Sequence, residues 1–566
     1  MNQTGATEKG GAMRGPAAGA GIGIALDLGT SGVRGQAVDL RSGEILATAI
    51  TTHHPLPGGN VMDHLHFAVE TSTDGVSAVA HDLMIDTVNK VIRSLGVERA
   101  RVSRLAICGN PIQLSLFQGM EIRDLAYAGK HKRESLGVAV QARDARIGRV
   151  EEIAGLDLPA QADLIVPPAV AHEIGADALA MMIESGMLER DEIALVTDYG
   201  TNAEMALKVG DRIVTGSAAC GPAFEGQAIA YGMLAAPGAI SDLVREAAVY
   251  RNLVLDEAML PAPGQLVDPH TGRVQAPGQV QARGITGTGV MAVIALGLED
   301  GLLQLPKISS ADGQIHLADG VVLSQEDVGE VGKAIGAARA GHLTLAAELG
   351  IDLEEVKVAY MAGASGTYVD ARKAQAIGMV PASATTIYQI GNTSLMLARD
   401  LVTRPDRLGE VEGIARALRA QHCMFAEAPV FKQAYVLELA YWTEGMPWEM
   451  YLKFIKRMGL PPLREFPGEA EVIRLVERDI PDFGRRGLQV VHDVGMVMVA
   501  YMEGCTACET CRDICPEDAV SIGHDAEGRP LVEVESARCL GLSCLRCQLA
   551  CPERVFQFKN FLGAHV

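Results

Sequence analysis

Eight of the 11 cysteines in this 566-residue chain fall in one short stretch near its end, at spacings that suit metal ligation. The first four read C-x2-C-x2-C-x3-C-P (Cys505, Cys508, Cys511, Cys515, Pro516), and the second four read C-x4-C-x2-C-x3-C-P (Cys539, Cys544, Cys547, Cys551, Pro552). Tight loops of this kind can wrap three thiolates around one face of a cubic iron–sulfur cluster, after which the proline turns the chain away. A zinc ribbon would instead use C-x2-C pairs with four ligands to a metal. A disulfide framework belongs to secreted chains, and nothing in this sequence looks secreted. The spacing therefore reads as two [4Fe–4S] clusters.

The two runs resemble those of bacterial-type two-cluster ferredoxins, in which the first three cysteines of a run hold one cluster and the fourth ligates the other. That pattern assigns Cys505, Cys508, Cys511 and Cys551 to one cluster, and Cys539, Cys544, Cys547 and Cys515 to the other. The x4 gap of the second run departs from the strict repeat. Between the runs, "AVSIGHDAEGRPLVEV" alternates apolar residues on both sides of a Gly-containing turn, which predicts a β-hairpin. The remaining Cys108, Cys220 and Cys423 stand in apolar surroundings and are expected as small buried hydrophobes.

A second kind of chemistry lies upstream. In "GIALDLGTSGVRGQAVDL" (residues 23–40) a short apolar run ends in Asp27, followed by a turn of small residues and a second strand-like run. Small residues such as Gly29, Thr30 and Ser31 let backbone N–H groups and hydroxyls approach a phosphate, while the carboxylate can hold hydrated Mg²⁺. "IALVTDYGTNAEMALKVGDRIVTGSAACGPAFEG" (residues 193–226) repeats the device with Asp198, Gly200, Thr201 and Asn202. A third element, "VKVAYMAGASGTYVDARKAQAIGMVP" (residues 356–381), runs an apolar strand into Gly363, Ala364, Ser365 and Gly366 and then a helix. A Gly-rich strand-to-helix turn suits close approach of a nucleotide. Asp177 and Glu204 are candidates for orienting an attacking water; for Asp177 a solvated carboxylate at a helix start is the competing reading.

The elements that must position these residues fit a chain of several domains. It is 48% hydrophobic with 62 glycines, as in a globular α/β protein with many tight turns. No apolar run is long enough to cross a membrane as a helix. The first residues lack the basic and apolar regions of a secretory signal, and residues 1–20 are expected to be a disordered tail. Together with eight oxidation-sensitive thiolates, this points to the cytoplasm. A net charge of −21 argues against a nucleic-acid partner. His53, His54, Asp63, His64 and His66 match neither a zinc knuckle nor an H-E-x-x-H helix. They are expected as ordinary loop residues, with contact to a partner or to a partner's cofactor as the alternative. "FKQAYVLELAYWTEGMPWEMYLKFIKRMG" (residues 431–459) holds both tryptophans at roughly helical spacing. It reads as part of a helical spacer, alternatively as a docking surface.

Two Asp-bearing hairpins and the Gly-rich turn, in this order, resemble the actin-like ATPase superfamily, where they form the phosphate-1, phosphate-2 and adenosine motifs. "GNPIQLSLFQG", "EIGADALA", "DYGTNAE", "ACGPAFEG" and "IGNTSLMLARD" resemble one branch of it, the ATP-dependent reductive activators of corrinoid proteins. With the C-terminal cysteine runs and "HHPLPGGNVMDHL", the chain is similar to the reductive activases of methylamine methyltransferase corrinoid proteins. The resemblance implies a duplicated α/β actin-like (ribonuclease H-like) ATPase with mixed sheets, its halves at 21–190 and 191–402. A helical spacer or docking region at 403–500 and an α+β ferredoxin domain at 501–566 would follow. It further implies ATP, Mg²⁺ and two [4Fe–4S] clusters as cofactors, a corrinoid protein of a methyltransferase system as partner, and a low-potential electron donor. The implied reaction is one-electron reduction of Co(II) to Co(I). If the cobalt couple lies about 100 mV below the donor, the transfer is uphill by roughly 2.3 kcal/mol. Micromolar nucleotide binding is worth about 8 kcal/mol, enough to cover that gap through differential binding to two conformations. The alternatives are a nucleotide-dependent scaffold or chaperone with structural clusters, and an activator of another low-potential radical or dehydratase enzyme.

Overall fold

The computed structural model describes residues 21–127, 130–170, 174–200, 202–218, 220, 229–233, 235–419, 421–462 and 470–561. The expected tail 1–20, Thr201, Glu173 and nearly all of "ACGPAFEG" lie outside the described residues.

Strands β1 (Ile22–Leu28), β2 (Val33–Asp39) and β3 (Ile45–Thr51) form an antiparallel meander. On its other side β1 pairs in parallel with β4 (Val102–Gly109). Beyond β4 the sheet continues through β6 (Asp163–Val166) to β5 (Arg146–Arg149). All seven residues of β1 are buried, which is why "IGIALDL" is almost wholly apolar rather than alternating. Helix α2 (Ala78–Ser94) packs on β2 and β3, and the helix Thr393–Thr403 returns late in the chain to pack on β1 and β4. Two glycines allow these approaches: a methyl on Gly35 would stand 2.8 Å from Val91, and one on Gly23 would stand 2.9 Å from Val402.

The second half repeats the plan. Strands β7 (Ala194–Tyr199), β8 (Ala203–Val209) and β9 (Arg212–Ala218) form the meander. The strand Val358–Ala362 lies parallel to β7, as β4 does to β1. Asp27 sits in register with Cys108 of β4, and Asp198 with Ala362, so both aspartates end equivalent strands at equivalent places. The sheet continues through Thr386–Gly391. Between the meander and its parallel partner the chain inserts a five-stranded sheet drawn from residues 239–285. It also inserts the 25-residue helix Gln325–Leu349, capped by Ser324 and ended by left-handed Gly350.

Residues 403–500 differ from the helical spacer expected of them. Three helices are present (Leu408–Leu418, Pro429–Trp442, Trp448–Arg457), but three strands follow. Glu471–Arg474 extends the second sheet beyond Thr386–Gly391, and Leu488–Val491 extends the first sheet beyond β3. Val497–Tyr501 pairs with Pro530–Glu535 in the C-terminal sheet, so that domain takes in residues before 501, where it was expected to begin. The segment stitches all three parts together. Short edge strands such as "EVIR" and "LQVV" have no core of their own and carry almost no periodic signal.

The C-terminal domain is a three-stranded antiparallel sheet in which Val520–His524 and Pro530–Glu535 form the expected hairpin. It shares a hydrophobic core with helix α1 (Val61–Glu70) of the first half. Leu56, Leu65 and Phe67 pack with Met502, Val532, Phe558 and Phe561, and Phe67 meets Phe558 edge to face at 6.3 Å. Among the described residues no helix is long and apolar enough to cross a membrane.

Candidate functional site

Asp27 stands at the end of a fully buried strand, so its carboxylate is itself buried and needs partners. Arg34, its register partner on β2, lies 3.6 Å away, and Asn392 donates a 2.8 Å hydrogen bond to Oδ2. Burial nevertheless pushes its pKa up against the pull of Arg34 and Asn392. The turn beyond it is tight: the Gly29 amide donates to the Gly32 carbonyl at 3.1 Å. The β7–β8 turn does the same, Gly200 donating to the Asn202 carbonyl at 3.1 Å. Asp198, before that turn, is pushed up to about 7, first by burial and then by the charges of Asp177 and Asp27.

Asp177 is in the first turn of the helix Ala176–Glu184, half-buried, and accepts the Ala178 amide at 2.9 Å. Burial raises it to about 6, and the nearby Asp27 charge adds to this. Glu204 faces Asp198 across the β7–β8 ladder and is driven well up by burial, Asp177 and Asp198. The structure thus brings Asp27, Asp177, Asp198 and Glu204 together where the two halves meet. Such a set resists full ionisation until a cation arrives. No three His, Cys, Asp or Glu side chains among the described residues gather tightly enough to share one ion directly. Mg²⁺ commonly keeps several waters and uses one or two carboxylates plus substrate phosphates, which this spacing accommodates. Gly363 presses on the same cluster: its φ is +78°, and a methyl there would stand 2.4 Å from Asp198 Oδ1. Only glycine fits there. Ala364, Ser365 and Gly366 follow in the short helix Gly363–Tyr368.

Three residues at this site escaped sequence reasoning. Arg34 and Asn392 hold Asp27, and Asn110 donates to Thr30 Oγ1 at 3.2 Å. Asn110 and Asn392 each cap the helix that follows a buried strand, accepting backbone amides of the first turn. An Asn between an apolar run and "PIQ" or "TSL" is a readable cap signal, but nothing local tells which loop its amide will reach.

At the other end of the chain, Cys505, Cys508, Cys511 and Cys551 line one open cavity with Met502, Val532 and Phe556. Cys515, Cys539, Cys544 and Cys547 line a second with Val520 and Phe558. The fourth cysteine of each run therefore crosses to the cavity of the other. Four soft thiol donors on an apolar wall suit an iron–sulfur cube. The two runs also share a backbone signature that the x4 gap conceals. Glu509 (φ 61°) and Leu545 (φ 51°) are left-handed at matching places, as are Asp518 (φ 48°) and Arg554 (φ 56°) after the prolines. Non-glycine residues held in that region cost energy and mark a loop shaped for a purpose. Cys108 and Cys220 are buried and Cys423 half-buried. The histidine segment is a loop only in part: His53 and His54 precede helix α1, whereas Asp63, His64 and His66 belong to it, and His54, Asp63 and His64 are buried.

Fold and site together define an actin-like ATPase body joined to a domain with two four-cysteine cavities. Residues 22–190 match the family described as the RACo middle region, and residues 192–452 match the C-terminal domain of RACo, the ASKHA domain. The chain is 49% identical to the [Co(II) methylated amine-specific corrinoid protein] reductase of Methanosarcina barkeri over 92% of its own length and 95% of the relative's. It is 24% identical to the corrinoid activation enzyme RamQ of Eubacterium limosum, over 73% of this chain and 69% of that one. A solved structure titled as a reductive activator for corrinoid, iron–sulfur protein superposes with a TM-score of 0.60 at 25% identity, covering 75% of this chain and 67% of that one. The chain belongs to the family of reductive activators of corrinoid proteins.

Proposed function

We propose that this chain is an ATP-dependent oxidoreductase that activates a corrinoid protein by one-electron reduction of its cobalt from Co(II) to Co(I). The electron comes from an external low-potential donor, and nucleotide binding in the actin-like body drives the unfavourable transfer. The observation that carries this reading is the presence, in one continuous structure, of a carboxylate-lined junction and two four-cysteine cavities. The near full-length likeness to a methylated-amine-specific relative supports a corrinoid partner from a methylated-amine system.

In this reading Asp27 and Asp198 organise Mg²⁺ and its waters, which their raised pKa values leave ready to ionise once the cation binds. Gly29, Thr30, Ser31, Gly200, Thr201 and Asn202 line the phosphates. Asp177, at about 6, can take a proton from water near neutral pH, with Glu204 as the second candidate. Gly363 to Gly366 approach the adenosine. Cys505, Cys508, Cys511 and Cys551 hold one [4Fe–4S] cluster, and Cys539, Cys544, Cys547 and Cys515 the other. Bound there, the clusters would supply low-potential one-electron carriers.

Metal analysis of anoxically purified protein tests the cofactor content. About eight iron and eight acid-labile sulfide per chain are expected for two such clusters, together with Mg²⁺-dependent ATP hydrolysis. Stoichiometric zinc without iron would sink the electron-transfer reading. Iron with no nucleotide binding would leave a carrier with no ATPase.

A further inference from the structure

Helix α3 (Pro111–Phe117) begins at Asn110, whose side chain caps it through the amides of Ile112 (3.1 Å) and Gln113 (3.0 Å) while its own amide holds Thr30. One turn in, Gln113 is completely buried and clamped between two histidines. Its Oε1 lies 3.0 Å from His54 Nε2, and its Nε2 lies 2.8 Å from His64 Nδ1. The two imidazoles stack on each other with ring centres 3.9 Å apart.

The proton positions follow from chemistry. His54 Nδ1 accepts the Leu56 amide at 3.1 Å, so its proton is on Nε2 and is donated to the Gln113 carbonyl oxygen. The Gln113 amide must then donate to His64 Nδ1, which leaves the His64 proton on Nε2. That nitrogen is buried with no hydrogen-bond partner among the described residues, and the ring interacts with the Gly58 backbone. Burial holds both rings well below the usual histidine range, His64 at about 4, so both stay neutral near neutral pH.

The far end of this network touches the second cysteine run. Pro57 and Gly58 lie in the loop that His54 and His64 hold from both sides. The Gly58 amide donates to the Cys539 carbonyl at 2.9 Å. Gly541 comes so close that a methyl on it would stand 3.1 Å from Gly58 N and from the Pro57 carbonyl, at a φ of +66°. Asp63, on the same helix as His64, anchors the loop through the Gly59 amide (3.2 Å) and the Asn60 side chain (2.8 Å), and it also meets Ser543. An unbroken set of contacts therefore runs from Thr30 through Asn110, Gln113, His54 and His64 to the backbone around Cys539.

The geometry points to Gln113 as a positioning residue that ties the Thr30 turn to the Cys539–Gly541 loop, so that nucleotide in the actin-like body alters the Cys515/Cys539/Cys544/Cys547 cavity and not the other. A buried, fully directional network has few alternative arrangements, so a shift at one end is carried to the other. Reciprocally, the state of that cavity biases nucleotide affinity. The inference rests on the reading of Thr30 as a phosphate contact and of the cavity as a cluster site.

Hydrogen–deuterium exchange on the full-length, anoxically purified protein tests it, with and without a non-hydrolysable ATP analogue and Mg²⁺. Analogue binding is expected to slow exchange at residues 539–545 and leave residues 505–511 unchanged. Gln113→Met, of similar length but without hydrogen bonds, should lose the response at 539–545 while keeping the one around Thr30. Gly541→Ala, which strikes the same link from the other side, should lose it too and serves if the first variant folds poorly. A response at 539–545 that survives in both variants overturns the inference. So does a wild-type chain that binds analogue and iron yet shows no change there, an outcome that leaves the proposed function standing. A wild-type chain that lacks iron or binds no nucleotide removes both.

Discussion

Asp198 carries a carboxylate whose pKa burial and like charges raise to about 7, beside Asp27 and Asp177, so replacing it removes a charge that only a bound cation favours. Asp198→Ala is expected to abolish Mg²⁺-dependent ATP hydrolysis while iron content stays at the wild-type value, checked by phosphate release and iron analysis on one preparation. Glu184 gives a pH prediction away from the site. Burial and the charge of Asp400 raise it from 4.5 to about 7 against the opposing pull of Arg407, Arg399 and Arg404, and its Oε1 is buried without a hydrogen-bond partner among the described residues. A raised folded-state value means the folded chain binds this proton more tightly than the unfolded chain does. The resulting stability is fully present below about 4.5 and is lost as pH rises through about 7. Glu184→Gln should flatten the fall in unfolding midpoint between pH 5 and 8; an unchanged slope would contradict the assignment. At this scale the sequence was informative wherever chemistry is local. The placement of Asp27 and Asp198 before tight turns, and of the eight cysteines in two loop regions, could be read because each lies in a strand–turn or loop pattern that its neighbours complete. Arg34, Asn110 and Asn392 could not, since their partners are chosen by β-register or lie 80 and 365 residues away in the chain.

The helix Thr393–Thr403 belongs by sequence to the second half and by packing to the first sheet, and its cap links the two. Asn392 Oδ1 accepts the Leu395 amide at 2.8 Å while its Nδ2 holds Asp27. Asn392→Ala should cost about 1 kcal/mol from the lost cap alone, and ATP hydrolysis should fall with it. Asn392→Asp separates the two roles, because aspartate caps a helix as well as asparagine does but sets a second carboxylate against Asp27. Near wild-type stability with impaired hydrolysis is expected; hydrolysis equal to wild type would show that the contact to Asp27 is idle. Elements with strong internal pattern, such as β1 and the 520–535 hairpin, were evident from sequence. The strands Glu471–Arg474 and Leu488–Val491 were not, because four-residue edge strands are specified by the sheet they join rather than by themselves. The helical expectation for residues 403–500 missed these strands for that reason.

Across the whole molecule, the C-terminal domain is not a tethered appendage. It shares a core with α1, and the Lys90 ammonium donates to the Gly495 carbonyl at 3.0 Å where the chain enters that domain. A body that closes on nucleotide would carry the cysteine-lined domain with its first half, which gives the hinge motion a direct mechanical consequence. In the proposed function, ATP gates delivery of the electron to cobalt. The decisive measurement is anoxic visible absorbance of a Co(II) corrinoid protein from a methylated-amine system, mixed with the intact chain and a low-potential reductant, with and without ATP and Mg²⁺. The Co(I) spectrum should appear only in the presence of ATP, and Asp198→Ala should fail to produce it even then. Equal rates of Co(I) formation with and without ATP would contradict the account.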